Sequence, residues 1–193
     1  MITVALDSKG AETAGEWIRA ARPAHPSLID PTHRVATLYN MVNVPTSVWI
    51  DERGRIVRWG EVAFVDNRWK DYTKSDMVAY LAGLRDWVRN GERSAFALTG
   101  TEVRKRLRLP TPARALAAAT FRLAEHLHAQ GHAEDAVAYF KEAQRLDPES
   151  WCYKRQAWQL TDAETRYGTS FQAEVKKLGD RPYYPPLDLP PPS

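Results

Sequence analysis

Residues 39–58, Tyr-Asn-Met-Val-Asn-Val-Pro-Thr-Ser-Val-Trp-Ile-Asp-Glu-Arg-Gly-Arg-Ile-Val-Arg, constrain the fold more than any other stretch of the chain. They read as a loop, a strand, a tight turn and a returning strand. Residues 46–50 are β-branched and aromatic, which suits a pleated, half-buried surface. Asp51-Glu52-Arg53-Gly54 supplies turn chemistry, with Gly54 free to take positive φ. Residues 55–59 mix polar and apolar side chains as a half-buried antiparallel partner would. Pro45 stands just before the first strand, where its missing N–H costs the ladder nothing.

Val44, Pro45, Thr46, Ile50, Asp51, Gly54 and Ile56 follow one another in an order that resembles the thioredoxin-like superfamily. Within it, they are similar to the redoxin branch that holds the TlpA/ResA and peroxiredoxin-like proteins. The resemblance implies a cis bond at Val44–Pro45 and a groove for extended peptides along Val44, Pro45 and Thr46. There a main-chain group beside the proline would pair with the ligand.

The cysteine count limits what such a scaffold can do. Cys152 is the only cysteine, so no intramolecular disulfide and no Cys-x-x-Cys pair exists within one chain. It lies between Trp151 and Tyr153 in an expected helix, where a buried, inert thiol is the reading; nothing nearby would lower its pKa. The family's chemistry needs a low-pKa thiolate at a helix N-terminus next to the proline loop. This chain keeps the loop and not the thiol, so no catalytic residue is expected.

Upstream of the loop, residues 2–6 read as a short buried strand ended by Asp7-Ser8-Lys9-Gly10. Residues 11–21 read as a helix with Ala14, Trp17, Ile18 and Ala21 inward, broken by Pro23 and Pro26. Residues 27–29 are a brief extended segment, and residues 32–39 a helix with Val35, Ala36, Leu38 and Tyr39 inward. The resemblance covers about residues 1–87, but it lacks the strand and Cys-x-x-Cys helix with which the family's fold begins. That strand would lie between strand 2–6 and strand 46–50. Unpaired buried backbone groups cost about 1–3 kcal/mol each, so several would outweigh a domain's net stability of about 5–15 kcal/mol. Three solutions are open. The recorded sequence is a truncation of a longer protein, a second chain (first of all another copy) supplies a strand at the edge, or the flanking strands close together.

After the hairpin, residues 62–72 read as an irregular aromatic loop. Residues 73–90 read as a helix, with Met77, Tyr80, Leu81, Leu84, Trp87 and Val88 at helical spacing and Asn90-Gly91 at its end. Thr99 and Glu102 have capping-box spacing, and Thr111-Pro112 places an N-cap before a proline at the first helical position. Helices are then expected over residues 112–130, 133–146, 149–160 and 170–178. Leu123, Ala124, Leu127, Ala136, Phe140, Ala143 and Pro148 resemble a tetratricopeptide repeat, although Thr120 and Ala124 stand where that repeat usually has Trp and Gly. Such alanines let antiparallel helices approach, and Phe140 would plug the gap between them. A plain helical hairpin is the alternative. The tail from Arg181 is proline-rich and expected to be extended, with Tyr183 and Tyr184 pinning its first part and the last prolines mobile.

The rest of the composition excludes more than it suggests. In a chain of 193 residues a formal net charge of +3 is mild, and the basic run Arg104-Lys105-Arg106-Leu107-Arg108 has no aromatic platform beside it. It reads as a solvated helix face, not a nucleic-acid site. His126, His128 and His132 lack a completing cysteine or carboxylate, and His132 follows Gly131, so no metal is expected. There is no glycine-rich phosphate loop and no Gly-x-Ser-x-Gly elbow, so no cofactor is expected. No apolar run spans a membrane and no secretory leader is visible, which makes the cytoplasm the expected compartment.

The expectation is therefore an α/β chain in three segments. Residues 1–92 form an incomplete thioredoxin-like sheet with flanking helices. Residues 93–180 form an all-α extension resembling a tetratricopeptide repeat, and residues 181–193 a tail. The resemblance implies a bacterial redoxin-family member, redox-inactive or truncated, that holds a protein or peptide, either a homodimer partner or a chain completing its sheet. The alternative is a thiol–disulfide oxidoreductase or peroxidase-type enzyme whose reactive cysteine lies on an upstream segment or a partner chain.

Overall fold

Helices and two separate two-stranded sheets make up residues 1–107 and 109–190, which the computed structural model describes. The first sheet is parallel: β1 (Thr3–Leu6) runs beside β2 (Ser27–Asp30), with Thr3 opposite Ser27 and Leu6 opposite Asp30. Helix α1 (Ala11–Ala21) makes the crossover that a parallel pair requires. It ends at Arg22, which is left-handed at φ 44°, ahead of Pro23. After β2 comes the short α2 (Arg34–Leu38).

The second sheet is the hairpin of β3 (Thr46–Ile50) and β4 (Ile56–Val62), antiparallel with two register shifts. The turn forms as the residues dictate. Asp51 Oδ1 accepts the N–H groups of Arg53 (3.0 Å) and Arg55 (2.8 Å), and Gly54 sits at φ 75°. Bonds from the Arg55 main chain and side chain hold the Asp51 carboxyl below its usual range.

A single turn, α3 (Lys70–Thr73), interrupts the segment expected to be an irregular loop, and Lys74 ends it in the left-handed region. The next helix, α4 (Met77–Asn90), therefore starts four residues later than residue 73. Its start is fixed by side chains. Asp76 accepts from Val78 N–H, Asn67 Oδ1 accepts from Met77 N–H at 2.7 Å, and the Lys70 ammonium lies 2.6 Å from Asp76. With the Lys70 ammonium first among its donors, the Asp76 carboxyl falls to about 2. A 3₁₀ turn (Gly91–Arg93) leads on to α5 (Gly100–Arg106), which opens on the expected Thr99–Glu102 capping box.

The remainder is helical: α6 (Pro112–Ala129), α7 (Ala133–Leu146), α8 (Trp151–Thr161), α9 (Ala163–Tyr167) and α10 (Phe171–Lys176). Thr111 caps α6 with Pro112 at its first position, and Gly131 at φ 85° turns the chain into α7. Between α6, α7 and α8 lies a core of Phe121, Ala124, Ala136, Phe140, Ala143 and Ala157, all shut off from solvent. Five small alanines at 0% exposure, Ala117 among them, allow the close helix approach that the two rings then fill.

The chain's contacts divide it into two compact units that do not follow sequence order. One comprises Met1–Val42 with Pro110–Phe171, the other Asn43–Leu109 with Gln172–Ser193. The first sheet thus belongs with the helical hairpin, and the β3–β4 sheet with α4, α5 and the tail. In the first unit, the Trp151 and Cys152 N–H groups at the start of α8 both donate to Val42 O. Arg122 on α6 donates to Thr32 O at 3.0 Å.

Several side chains expected inward face solvent. On α1, Ala14 and Gly15 are the buried pair, and Trp17, two positions and about 200° past Gly15, is 74% exposed. On α2, Leu38 lies likewise about 200° from the buried Ala36 and is exposed. Val88 in the last turn of α4 and Leu123 on α6 are also exposed. The residues that replace them inward include Gly83 and Phe121. A Cβ on Gly83 would come within 2.5 Å of the Phe96 ring, so only glycine allows that ring onto α4. Arg108 and the final prolines, Pro191 and Pro192, lie outside the described residues, so the full basic run and the end of the tail are not placed.

Candidate functional site

Val44, Pro45 and Thr46 form one half-buried loop that delivers the chain into β3, and the Val44–Pro45 bond is cis. Asn43, 3% exposed, organises the loop. Its Oδ1 accepts the Val44 N–H at 2.9 Å, and its carbonyl accepts the Thr46 hydroxyl at 2.6 Å. Pro45 O accepts from Ala63 N–H, and Thr46 faces Val62 at the first rung of the hairpin. Behind the loop, the Tyr80 hydroxyl lies 2.7 Å from Ser47 Oγ and accepts from Trp49 Nε1 at 3.1 Å. Trp49 in turn stacks on Trp87 at 5.2 Å, fixing β3 against α4.

The same unit holds a buried ion pair that the sequence does not announce. Arg58 on β4, expected on a half-buried strand, is 1% exposed. Its guanidinium reaches Glu61 Oε1 (2.8 Å), Phe96 O (3.0 Å) and Asp188 O (2.6 Å), and lies 5.5 Å from the centre of the Trp49 ring. One planar fork thus satisfies a carboxylate and two carbonyls, which keeps a charge inside at tolerable cost.

The tail completes this neighbourhood. Tyr183 and Tyr184 are buried, at 8% and 5% exposure. Asn43 Nδ2 donates to Tyr183 O at 3.1 Å, and the Tyr184 hydroxyl donates to Val44 O at 2.8 Å. The Tyr184 ring meets Phe64 edge-on at 5.6 Å. The expected loop residues are therefore brought together, and Asn43, Arg58, Tyr183 and Tyr184 join them. Of these four, only the tyrosines had a signal in the sequence, as bulky anchors in a proline-rich tail.

Cys152 belongs to the other unit and is 5% exposed. Burial first of all pushes its thiol from an ordinary 9.0 up to about 12, so at neutral pH it holds its proton. Its neighbour Tyr153 is likewise pushed up from 10.0 to about 12 by burial. Both groups hold their protons in the folded chain after the unfolded chain has lost them. Stability is therefore complete below about pH 9 and falls as pH rises, by about 1.4 kcal/mol per pH unit for each proton retained. A denaturation series from pH 8 to 11 should show this fall, and Cys152→Ala should remove the part that begins near pH 9. Native Cys152 should also stay unmodified by a neutral thiol reagent that labels the unfolded chain fully.

A second polar cluster lies within the first unit. His33, 1% exposed, sits at φ 52° before α2 with Nδ1 2.9 Å from Glu125 Oε1. The Ser8 hydroxyl donates to the same oxygen at 2.6 Å, and Ser8 N–H to Gln156 Oε1 at 2.9 Å. Serine and imidazole both point at the carboxylate and not at each other, so the group lacks the nucleophile–base bond of a hydrolase. It ties α2, α6 and α8 together instead. His128, considered above as a ligand, lies with Nε2 3.2 Å from Leu160 O. Among the described residues no group of three or more His, Cys, Asp or Glu gathers to hold a metal, and no helix is long and apolar enough to cross a membrane.

A groove of about 380 Å³ beside the hairpin turn is lined by Arg53, Arg55, Trp87 and Glu92 among others. Its cations are already neutralised, since Arg55 bridges Asp51 and Glu92, and offer little to an anion. Compared with protein-family models, curated proteins and solved structures, the chain matches none.

Proposed function

We propose that the chain is a redox-inactive or truncated member of the thioredoxin-like, redoxin-type family that works as a protein- or peptide-binding module. Val44, Pro45 and Thr46 would form its groove, and α6–α7 would be a tetratricopeptide-like extension. One observation carries the reading. The proline loop that the family uses to hold extended peptides is built and supported by Asn43 and Tyr80, yet its compact unit contains no cysteine. Recognition would need the loop's main chain, whereas thiol chemistry would need an accessible thiolate, and the one cysteine, Cys152, is buried.

A partner that completes a sheet fits the same reading. Among the described residues each sheet has two strands, a size that is marginal without further packing, and Ile2 beside β1 and Leu28 on β2 are 63% and 53% exposed. Light scattering on the purified chain would detect a homodimer.

The test has two arms. The purified chain should give only background rates of insulin reduction with a dithiol donor. At high concentration it should bind a reduced, carboxymethylated insulin chain, with binding weakened at least tenfold by Thr46→Arg in a variant whose melting curve is retained. Dithiol-dependent insulin reduction above background would favour the oxidoreductase alternative. Binding that ignores Thr46→Arg would remove the groove.

A further inference from the structure

The loop that reads as a peptide groove is already covered by an extended peptide, and that peptide is the chain's own. From Arg181 to Pro190 the sequence is Arg-Pro-Tyr-Tyr-Pro-Pro-Leu-Asp-Leu-Pro, with no helix or strand assigned anywhere in it. Four prolines fix φ and pre-extend the segment, so little conformational freedom is lost when it docks.

The way it is held is that of a ligand. Two of its contacts address main-chain carbonyls and carry no sequence preference: Asn43 Nδ2 to Tyr183 O and Arg58 to Asp188 O. Two others address side chains. The Tyr184 hydroxyl caps Val44 O while its ring packs on Phe64, and Arg106 pairs with the Asp188 carboxylate at 3.1 Å. The aromatic pair is buried, whereas Pro185 and Pro186 beside it are exposed. Both polar groups of the Val44 main chain are thereby used, the N–H by Asn43 and the carbonyl by Tyr184. The N–H stays with Asn43 whether or not the tail is docked, whereas the carbonyl is closed to an incoming chain only while the tail is in place.

We propose that residues 183–188 are an intramolecular occupant of the Asn43–Val44 cleft. The partner they stand in for is an extended peptide with two adjacent aromatic residues followed by proline, which binds as the tail lifts away. The inference rests on the peptide-binding reading and adds to it a ligand class and a means of control. A tethered ligand acts at an effective concentration on the order of 1 mM. Against an intrinsic Kd of about 10–100 μM, it would weaken binding in trans by roughly 10- to 100-fold.

The experiment uses a fluorescent peptide matching residues 181–190, and a control peptide with alanine at both tyrosine positions, read by polarisation against the full chain and two variants. Tyr184→Phe removes only the hydroxyl on Val44 O and should tighten binding of the peptide by about 2- to 10-fold. Tyr183→Ala with Tyr184→Ala should tighten it at least tenfold, and the control peptide should not bind. Equal affinity for the wild-type chain and both variants would overturn the tail's role while leaving the groove standing. Binding to none of the three would overturn both. Should the double variant not fold, Tyr184→Phe carries the comparison. Nitration of the wild-type chain supplements it: Tyr183 and Tyr184 are buried in the docked tail, so excess peptide should speed their modification, and unchanged labelling would refute displacement.

Discussion

Phe140→Ala should lower the stability of the helical unit by about 3–5 kcal/mol, read as a shift of the urea midpoint in the helical circular dichroism signal at unchanged slope. Phe140 is 0% exposed, with its ring 5.3 Å from that of Phe121. The surrounding small side chains, Ala124, Ala136, Ala143 and Ala157, cannot swing in to fill the space, so the cavity should persist. Phe121 is itself stacked on Tyr153 at 4.5 Å and held in place. Phe140→Leu keeps most of the volume and should cost less than about 1.5 kcal/mol. Leu123→Ala, at a position 41% exposed, should cost far less than Phe140→Ala. A loss below about 1 kcal/mol for Phe140→Ala would mean that α6 and α7 do not pack through this ring.

Arg58→Met should be nearly as damaging, at about 3–5 kcal/mol, for a different reason. The methionine fills similar space, so the loss is electrostatic. Glu61 is left as a buried carboxylate without its cation, and Phe96 O and Asp188 O lose their donor. The double change Arg58→Met with Glu61→Met removes both charges and should recover a large part of that loss. Arg58→Lys should fall between, because a point-like ammonium cannot reproduce a fork that reaches three acceptors. If the double variant were less stable than Arg58→Met alone, the pair would not be the buried unit described here.

The elements that could be read from the sequence were those whose cause is local. Asp51 and Gly54 write the hairpin turn into four residues, and Thr111-Pro112 and Gly131 punctuate α6 and α7 at the positions observed. The Val44–Pro45–Thr46 loop was singled out by a resemblance and not by its local chemistry. What escaped has distant causes. The α4 start depends on Asn67, ten residues back, and on Lys74 taking a left-handed conformation that its side chain does not advertise. Arg58 looks like a solvent-facing strand residue until Phe96 and Asp188 are brought to it from 38 and 130 positions away. His33 carries no local mark of burial, since its partner Glu125 is 92 positions away. The outward turn of Trp17 follows from the α1 face centring on Ala14 and Gly15, since Trp17 lies about 200° round the helix from Gly15. Around the loop, Tyr183 and Tyr184 were legible as anchors of a proline-rich tail, whereas Asn43 and Arg58, whose partners lie far along the chain, were not.

We propose that the Val44–Thr46 loop binds an extended chain and that no thiol takes part. The most direct test is a titration of the ¹⁵N-labelled chain with the unlabelled residue 181–190 peptide, followed amide by amide, in wild type and in Cys152→Ala. The account predicts saturable shifts at the displaced tail amides of Tyr183 and Tyr184, with only small changes at Val44, Thr46 and the Asn43 side-chain amide, where the peptide remakes the tail's contacts, identical in the two proteins. Shifts confined to other surfaces, or lost with Cys152, would contradict it.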